Sequence, residues 1–552
     1  MYRILYRHFL AQFFENDLVA PQGELRAGMA GVLGFVAMPG LLLPLWMMGK
    51  YSSLIAFIRM QRFVDRDGAT WSDKIIYLSL ALVIPALAML LKWDSLFPTR
   101  LDHAIFAPMP LRLSRILLAK AAALGTFVAL FALAVNAAST ILFPLAVLGD
   151  TGTLWDAVRY IGAHFLATMA ISLCACTFLI ALQGIGLTTL GLERFRGISA
   201  ALQFAVLTGL LTLFLLCPSL SNLARKLHTL PQADWLPPFW FLGLYEVLLG
   251  KADAAYRDLA ATALQALGIC SFTAVATYAL SYRRHFRRIP ETLERGSSFA
   301  APVWNHLETL AGRFTKDRRR IGLLMFVLQT FIRSHTHRLL FGVFLALASA
   351  VILNDVLTVT LVTSSETEIA LSAPLIVSFF LLTGFRFLYE IPADLPAHWL
   401  FRIAAPPRPI SFHKLMLAFV LVVTTPINFL LLPLNDAVIH SVNCGLLAVI
   451  LAEALFVDFH KIPFTCTFGA AKWNVTYALF LWFLVFIFYT WVAIRVEMRI
   501  AFNVIVFSCA CAALLAVVYW LHRRRDALWA EDPTLRFHDG QAPAVQTLDL
   551  NG

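Results

Sequence analysis

Apolar residues in this chain fall into long runs, separated by short stretches that carry most of the charge. Eighteen or more apolar residues in a row are enough to cross a bilayer as a helix. Such runs lie near 28–49, 73–91, 116–147, 157–183, 198–218 and 258–281, and again near 338–355, 367–389, 413–433, 441–458, 473–493 and 499–521. The pattern predicts an all-α polytopic membrane protein with about twelve transmembrane helices. The run after Arg115 is longer than one bilayer needs, which predicts tilt or extension into water. Ahead of the first run, "MYRILYRHFLAQFF" puts Phe9, Phe13 and Phe14 near one face and Arg3, Arg7 and His8 elsewhere. That predicts an amphipathic helix lying in the interface. The segment lacks the single apolar core and small-residue cleavage site of a secretory signal.

Composition supports this reading. The chain is 60% hydrophobic and 14% charged, against about 45–50% and about 25% in soluble proteins. Its net charge of +11 would point to nucleic acid in a soluble chain, but here it fits the enrichment of Lys and Arg in cytoplasmic loops. No nucleic-acid motif is present, so lipid and not nucleic acid is the expected surrounding. The same bias orients the chain. "YRRHFRR" (282–288), "KDRRR" (316–320) and "HRRR" (522–525) are placed in the cytoplasm, with both termini, as in a bacterial inner-membrane protein. The loops "GDTGTLWD" (149–156) and "TSSETE" (363–368) carry no Lys or Arg and suit the outer side. The loop 50–74 fits poorly, because it holds Lys50, Arg59, Arg62, Arg66 and Lys74 yet is counted outside. The eight cysteines lie mostly within apolar runs, with no Cys-x-x-Cys pair, and read as small buried hydrophobes.

The chain repeats itself. "FLAQFF" (9–14) precedes the first run of one half and "FVLQTF" (326–331) the first run of the other. "HAIF" (103–106) follows the second run and "HWLF" (398–401) the eighth, and each leads into a proline-rich basic stretch. Six spans per half predict two parallel repeats, each with an interfacial N-terminal helix. The expected parts are a first half at 1–290, a cytoplasmic linker at 291–319, a second half at 320–525 and a cytoplasmic tail at 526–552.

Residues 93–115 hold five charges and the prolines 98, 108 and 110. The prolines forbid one continuous helix. Short amphipathic turns would seat their apolar side chains on the membrane or on neighbouring helices, leaving Arg100, Asp102, Arg112 and Arg115 toward water or a partner. An ordinary solvated loop and a docking element for a soluble protein both fit this composition. The second copy at 389–414, with Asp394, Arg402, Arg408 and Lys414, favours docking.

The order of elements resembles that of ABC-2 type permeases, the membrane half of one class of ATP-driven exporters. "APMPLRLSRILLAK" (107–120) is similar to the family's coupling segment, with Pro110, Arg112, Arg115 and Lys120 in the family's order. The resemblance implies a permease without its own ATPase, docked by separate ATPase subunits through the two coupling segments. It also implies that part of 231–250 folds back into the outer leaflet, with Trp235, Trp240 and Tyr245 at the interface. Two departures stand out. This chain carries both halves, and between its last two spans the second half has only "AIRVEMR" (493–499).

No G-x-x-x-x-G-K-[ST] phosphate loop and no H-E-x-x-H motif occur, and no cofactor is called for. Three intramembrane polar residues remain. His164 and His440 could ligate a haem or pigment, and are more often packing residues. Glu453 could serve a substrate path or proton relay, but pairing with a polar group on a neighbouring helix is preferred, since no basic residue stands out as its relay partner. The rival readings are a six-plus-six secondary transporter, and an accessory or structural subunit working with further membrane subunits. The absence of glycine from 92–115 argues against the first.

Overall fold

A computed structural model describes residues 2–14, 25–60, 66–97, 102, 105–106, 108–150, 152–224, 235–251, 253–285, 309, 318–362, 366–391, 412–465, 475–500 and 503–531. The regular structure among them is helical throughout, and twelve helices are long and apolar enough to cross a membrane. The protein is therefore an all-α, multi-pass membrane protein. The chain divides into two compact units, Met1–Gly296 and Ser297–Gly552, each with six of those twelve helices.

In the first unit, α1 (Tyr2–Phe14) precedes the spans α2 (Leu25–Arg59), α3 (Arg66–Leu91), α4 (Leu113–Leu148), α5 (Leu154–Leu190) and α6 (Leu192–Ala224). A short helix, α7 (Pro237–Leu248), leads into the last span, α8 (Ala254–His285). The apolar positions Leu5, Phe9 and Phe13 recur every four residues in α1 and are buried, with Phe13 and Phe14 packed on Phe127 of α4. α4 and α5 have 36 and 37 residues, so each is about 54 Å long at ~1.5 Å per residue. The hydrocarbon core is only about 30 Å thick. The turn joining the two helices is short, Gly149–Thr153. Both helices are therefore longer than the hydrocarbon core is thick.

α7 has 12 residues, about 18 Å, too short to cross. It is apolar and lies against α5 and α8. Gly243 permits this, because a Cβ there would meet Leu259 and the Tyr256 carbonyl of α8. Gly40 likewise lets α2 approach the Val135 carbonyl of α4.

In the second unit, α9 (Arg318–Arg333) precedes the spans α10 (His335–Val362), α11 (Glu366–Leu388), α12 (Phe412–Leu431) and α13 (Leu434–Leu455). α14 (Val475–Ile487) passes through one π-helical turn, Phe488–Val492, into α15 (Ala493–Ile500), and the last span is α16 (Val504–Glu531). Amphipathic helices thus precede the first span of both units, but their aromatics seat differently. Phe14 packs on Phe127 and Phe131 of the third span, whereas Phe331 packs on Phe341 and Phe385 of the seventh and eighth.

Two boundaries need correction. "AIRVEMR" is not a loop between spans but the helical end of the eleventh. The tail expected from 526 likewise begins as part of a helix, not as a free tail, and "HRRR" leads into it. "HRRR" lies within α16, which runs on to Glu531, and Arg525 is buried. The helix continues because Arg525 has a carboxylate to meet, described below.

Candidate functional site

One end of the first unit carries α1 and the segment that follows α3. Trp93 and Phe97 are buried there, and so are Asp102 and Phe106. The Lys120 ammonium, two turns into α4, lies 2.6 Å from Asp102 Oδ2, with side-chain exposures of 0% and 1%. The same ammonium donates to the Phe97 carbonyl at 3.0 Å and sits 5.4 Å from the Phe9 ring centroid. Gln12 of α1 donates to Asp102 Oδ1 at a long 3.4 Å. Phe106 packs edge-to-face on His8 and tilted on Phe9. One aspartate therefore ties α1 and α4 to the segment between α3 and α4.

Beyond this buried knot the chain turns outward. Pro108, Met109, Pro110, Arg112 and Arg115 are exposed, and so are Arg3 and Arg7 on α1. The sequence placed Asp102 toward water and Lys120 among the docking residues, and both placements are corrected here. A charge in so apolar a setting needs an opposite charge, and each supplies it to the other. Of the second segment, Lys414 is exposed at the start of α12. Arg100, Asp394, Arg402 and Arg408 lie outside the described residues.

The opposite end of the first unit holds the end of α2, the start of α3, the ends of α4 and α5 that adjoin each other, and α7. Here Lys50 pairs with Asp73 at 2.7 Å, Arg59 pairs with Asp150, and Tyr51 donates to Asp73. Lys74 meets Glu246 of α7 at 2.5 Å, both buried, and Lys251 meets the other oxygen at 2.9 Å. The Lys74 ammonium also faces the rings of Tyr160 and Tyr245, 5.2 and 4.7 Å from their centroids. Among the described side chains of the basic loop that fitted the outer side poorly, Lys50, Arg59 and Lys74 each meet a carboxylate.

Of the three aromatics assigned to the interface, Trp235 is 83% exposed and Trp240 is half-buried. Tyr245 is buried, and its hydroxyl lies 3.1 Å from His164 Nδ1. The other nitrogen of His164 lies 3.3 Å from Ser139 Oγ. With both nitrogens engaged, His164 is a packing residue that fixes α7 to α4 and α5, not an open ligand.

The second unit also has two polar ends. Glu453 of α13 accepts from Arg525 at 2.5 Å and lies 3.4 Å from His413 Nε2 and 3.7 Å from His522 Nδ1. Arg525 also reaches His413 Nε2 and His522 Nδ1, each at 2.8 Å. A guanidinium can only donate, so the histidine nitrogens facing it accept. The expected pairing of Glu453 with neighbouring helices is what the structure shows, but the dominant partner is a basic residue that the sequence did not single out. Nearby, Arg386 and Lys461 hold Glu390 at 2.5 and 3.0 Å. Burial alone would raise the Glu390 carboxyl; the two cations outweigh it and hold it below the usual carboxylate range.

At the other end of this unit, Glu497 of α15 receives His440 Nδ1 at 2.9 Å and Asn443 Nδ2 at 2.6 Å. Each unit therefore ties the element ahead of its last span to its fourth span near a buried glutamate, through Tyr245–His164 beside Glu246 in one and Glu497–His440 in the other. The order "LYEV" and "RVEM" before the last spans was the available sequence signal.

Comparison with protein-family models, with curated proteins and with solved structures finds no match.

Proposed function

We propose that this chain is the membrane permease of an ATP-driven exporter of the ABC-2 type, with both halves in one polypeptide and ATP hydrolysed on separate subunits. It would sit in a bacterial inner membrane with both termini in the cytoplasm, where the basic segments 282–288 and 316–320 also lie. The observation that carries the reading is the segment between α3 and α4. Its base is sealed into the unit by Asp102 and Lys120, and its tip presents Pro108–Pro110, Arg112 and Arg115 to water. A solvated loop has no use for a buried ion pair at its base. An element that must receive force from a soluble engine does.

α7 supports the same reading. A short apolar helix, clamped by Glu246 and Tyr245 at the far end of the unit, is the fold-back element that such a permease requires. The rim arginines would orient an acidic ATPase surface more than they would add affinity, since exposed pairs are largely solvated. Arg112→Glu with Arg115→Glu should therefore release the ATPase from the tagged chain during purification, with expression and membrane insertion unchanged. Full retention of the ATPase by the double reversal would exclude this docking surface. Topology is tested separately by Ser→Cys labels at Ser297 and Ser298. Labelling by an impermeant reagent from outside the cell would place the linker on the wrong side.

A further inference from the structure

We propose that the Asp102–Lys120 pair is a transmission pin: a positioning device that makes α1, the segment after α3 and the start of α4 move as one body. This rests on the permease reading for its purpose, though not for its geometry. The pair is almost wholly removed from solvent and lies 2.6 Å apart. Stability does not explain it, because a buried ion pair is often no better than well-packed apolar residues of similar volume. What an ion pair adds is direction. Asp102 has one carboxylate and spends it on two elements, Lys120 of α4 through Oδ2 and Gln12 of α1 through Oδ1. Lys120 in turn holds the Phe97 carbonyl at the other side of the segment. Leu or Met at these positions would fill the space without fixing the register.

Lever length strengthens the argument. α4 is about 54 Å long at ~1.5 Å per residue, and the pin sits seven residues from its first residue, Leu113. A push on Arg112 or Arg115 therefore arrives close to the pin, at the end of a helix that continues across the membrane to Leu148. The aromatic packing of Phe106 on Phe9 and His8 brings α1 along. Without the pin, the Pro108–Pro110 turn would absorb the displacement before it reached α1 and the segment after α3. The pin thus separates two properties: docking belongs to the exposed arginines, and coupling belongs to the buried pair.

The test uses the full chain in lipid nanodiscs, with the double variant Asp102→Leu/Lys120→Met, which leaves no orphaned buried charge. Hydrogen–deuterium exchange should rise about tenfold or more in peptides spanning 93–112, as expected of local opening, and stay unchanged in peptides from α5 and α7. Unchanged exchange at 93–112 overturns the pin, whatever the function proves to be. In the complex with its ATPase, the variant should retain the bound ATPase while losing the stimulation of ATP hydrolysis that the membrane chain confers. Retained stimulation overturns the coupling role. An unmodified chain that binds no ATPase at all overturns the permease reading instead, and the exchange result still decides the pin. Loss of α5 and α7 protection along with that of 93–112 would show a merely structural pair and also overturn the proposal.

Discussion

Single charges set the character of this molecule, since each one buried among apolar side chains needs a partner. Lys74 and Glu246 show how strictly the rule is applied, at 2.5 Å and with neither accessible. Lys74→Met should leave Glu246 with Lys251 as its remaining cation and destabilise the unit, by less than the roughly 3–5 kcal/mol of a fully uncompensated buried charge. Lys74→Met combined with Glu246→Leu should recover most of that loss, and thermal unfolding in nanodiscs measures both. Equal losses in the single and double variants would show that packing, not charge, holds α7. Glu390 gives a pH prediction. Its folded pKa is lowered, so its contribution is complete above the ordinary carboxylate value of about 4.3 and is lost as pH falls through the folded value. The unfolding temperature of Glu390→Gln should fall less steeply on acidification than that of the unmodified chain, and parallel curves would contradict the assignment. Residues of this kind were only partly legible. Lys120, Asp102 and Glu453 could be picked out as charges beside apolar runs. The pairs Glu453–Arg525 and Lys74–Glu246 could not be read, because their members lie 72 and 172 positions apart. Pairing at that distance is decided by tertiary packing, to which sequence spacing gives no access.

Helices were far more legible, because a run of apolar residues is itself the physical cause of a span. All twelve fall where the runs do, with shifts of a few residues at most ends. The errors came where a helix outlasts its apolar run. α16 continues through His522, Arg523, Arg524 and Arg525 because Glu453 and His460, whose ring meets Trp529 at a tilt, give those turns something to hold. α15 likewise continues span eleven because Glu497 finds His440. α7 is sensitive to a single added atom at Gly243. Gly243→Leu should force it away from α8, since the added side chain would overlap Leu259 and Tyr256. Protease sensitivity at 231–250 should then rise while the exchange protection of α4 holds. An unchanged digestion pattern would mean that α7 has room to spare.

At the scale of the whole molecule, the chain divides into two compact units, Met1–Gly296 and Ser297–Gly552. Each unit has six spans, an amphipathic helix ahead of them and a buried glutamate just before the last span. Polar chemistry is concentrated at the two ends of each unit, and the first unit pairs an arginine-rich exposed tip with a sealed base. The sequence contains no phosphate-binding loop, and on the function proposed above the energy comes from separate ATPase subunits. The central claim is therefore that hydrolysis enters from a separate subunit through Arg112 and Arg115. The most direct measurement is ATP hydrolysis by the tagged full chain, purified from its native membrane into nanodiscs and compared with the Arg112→Glu/Arg115→Glu variant. The account predicts hydrolysis that co-purifies with the unmodified chain and disappears with the variant; a chain purified intact without any hydrolysis, or equal activity in both, would contradict it.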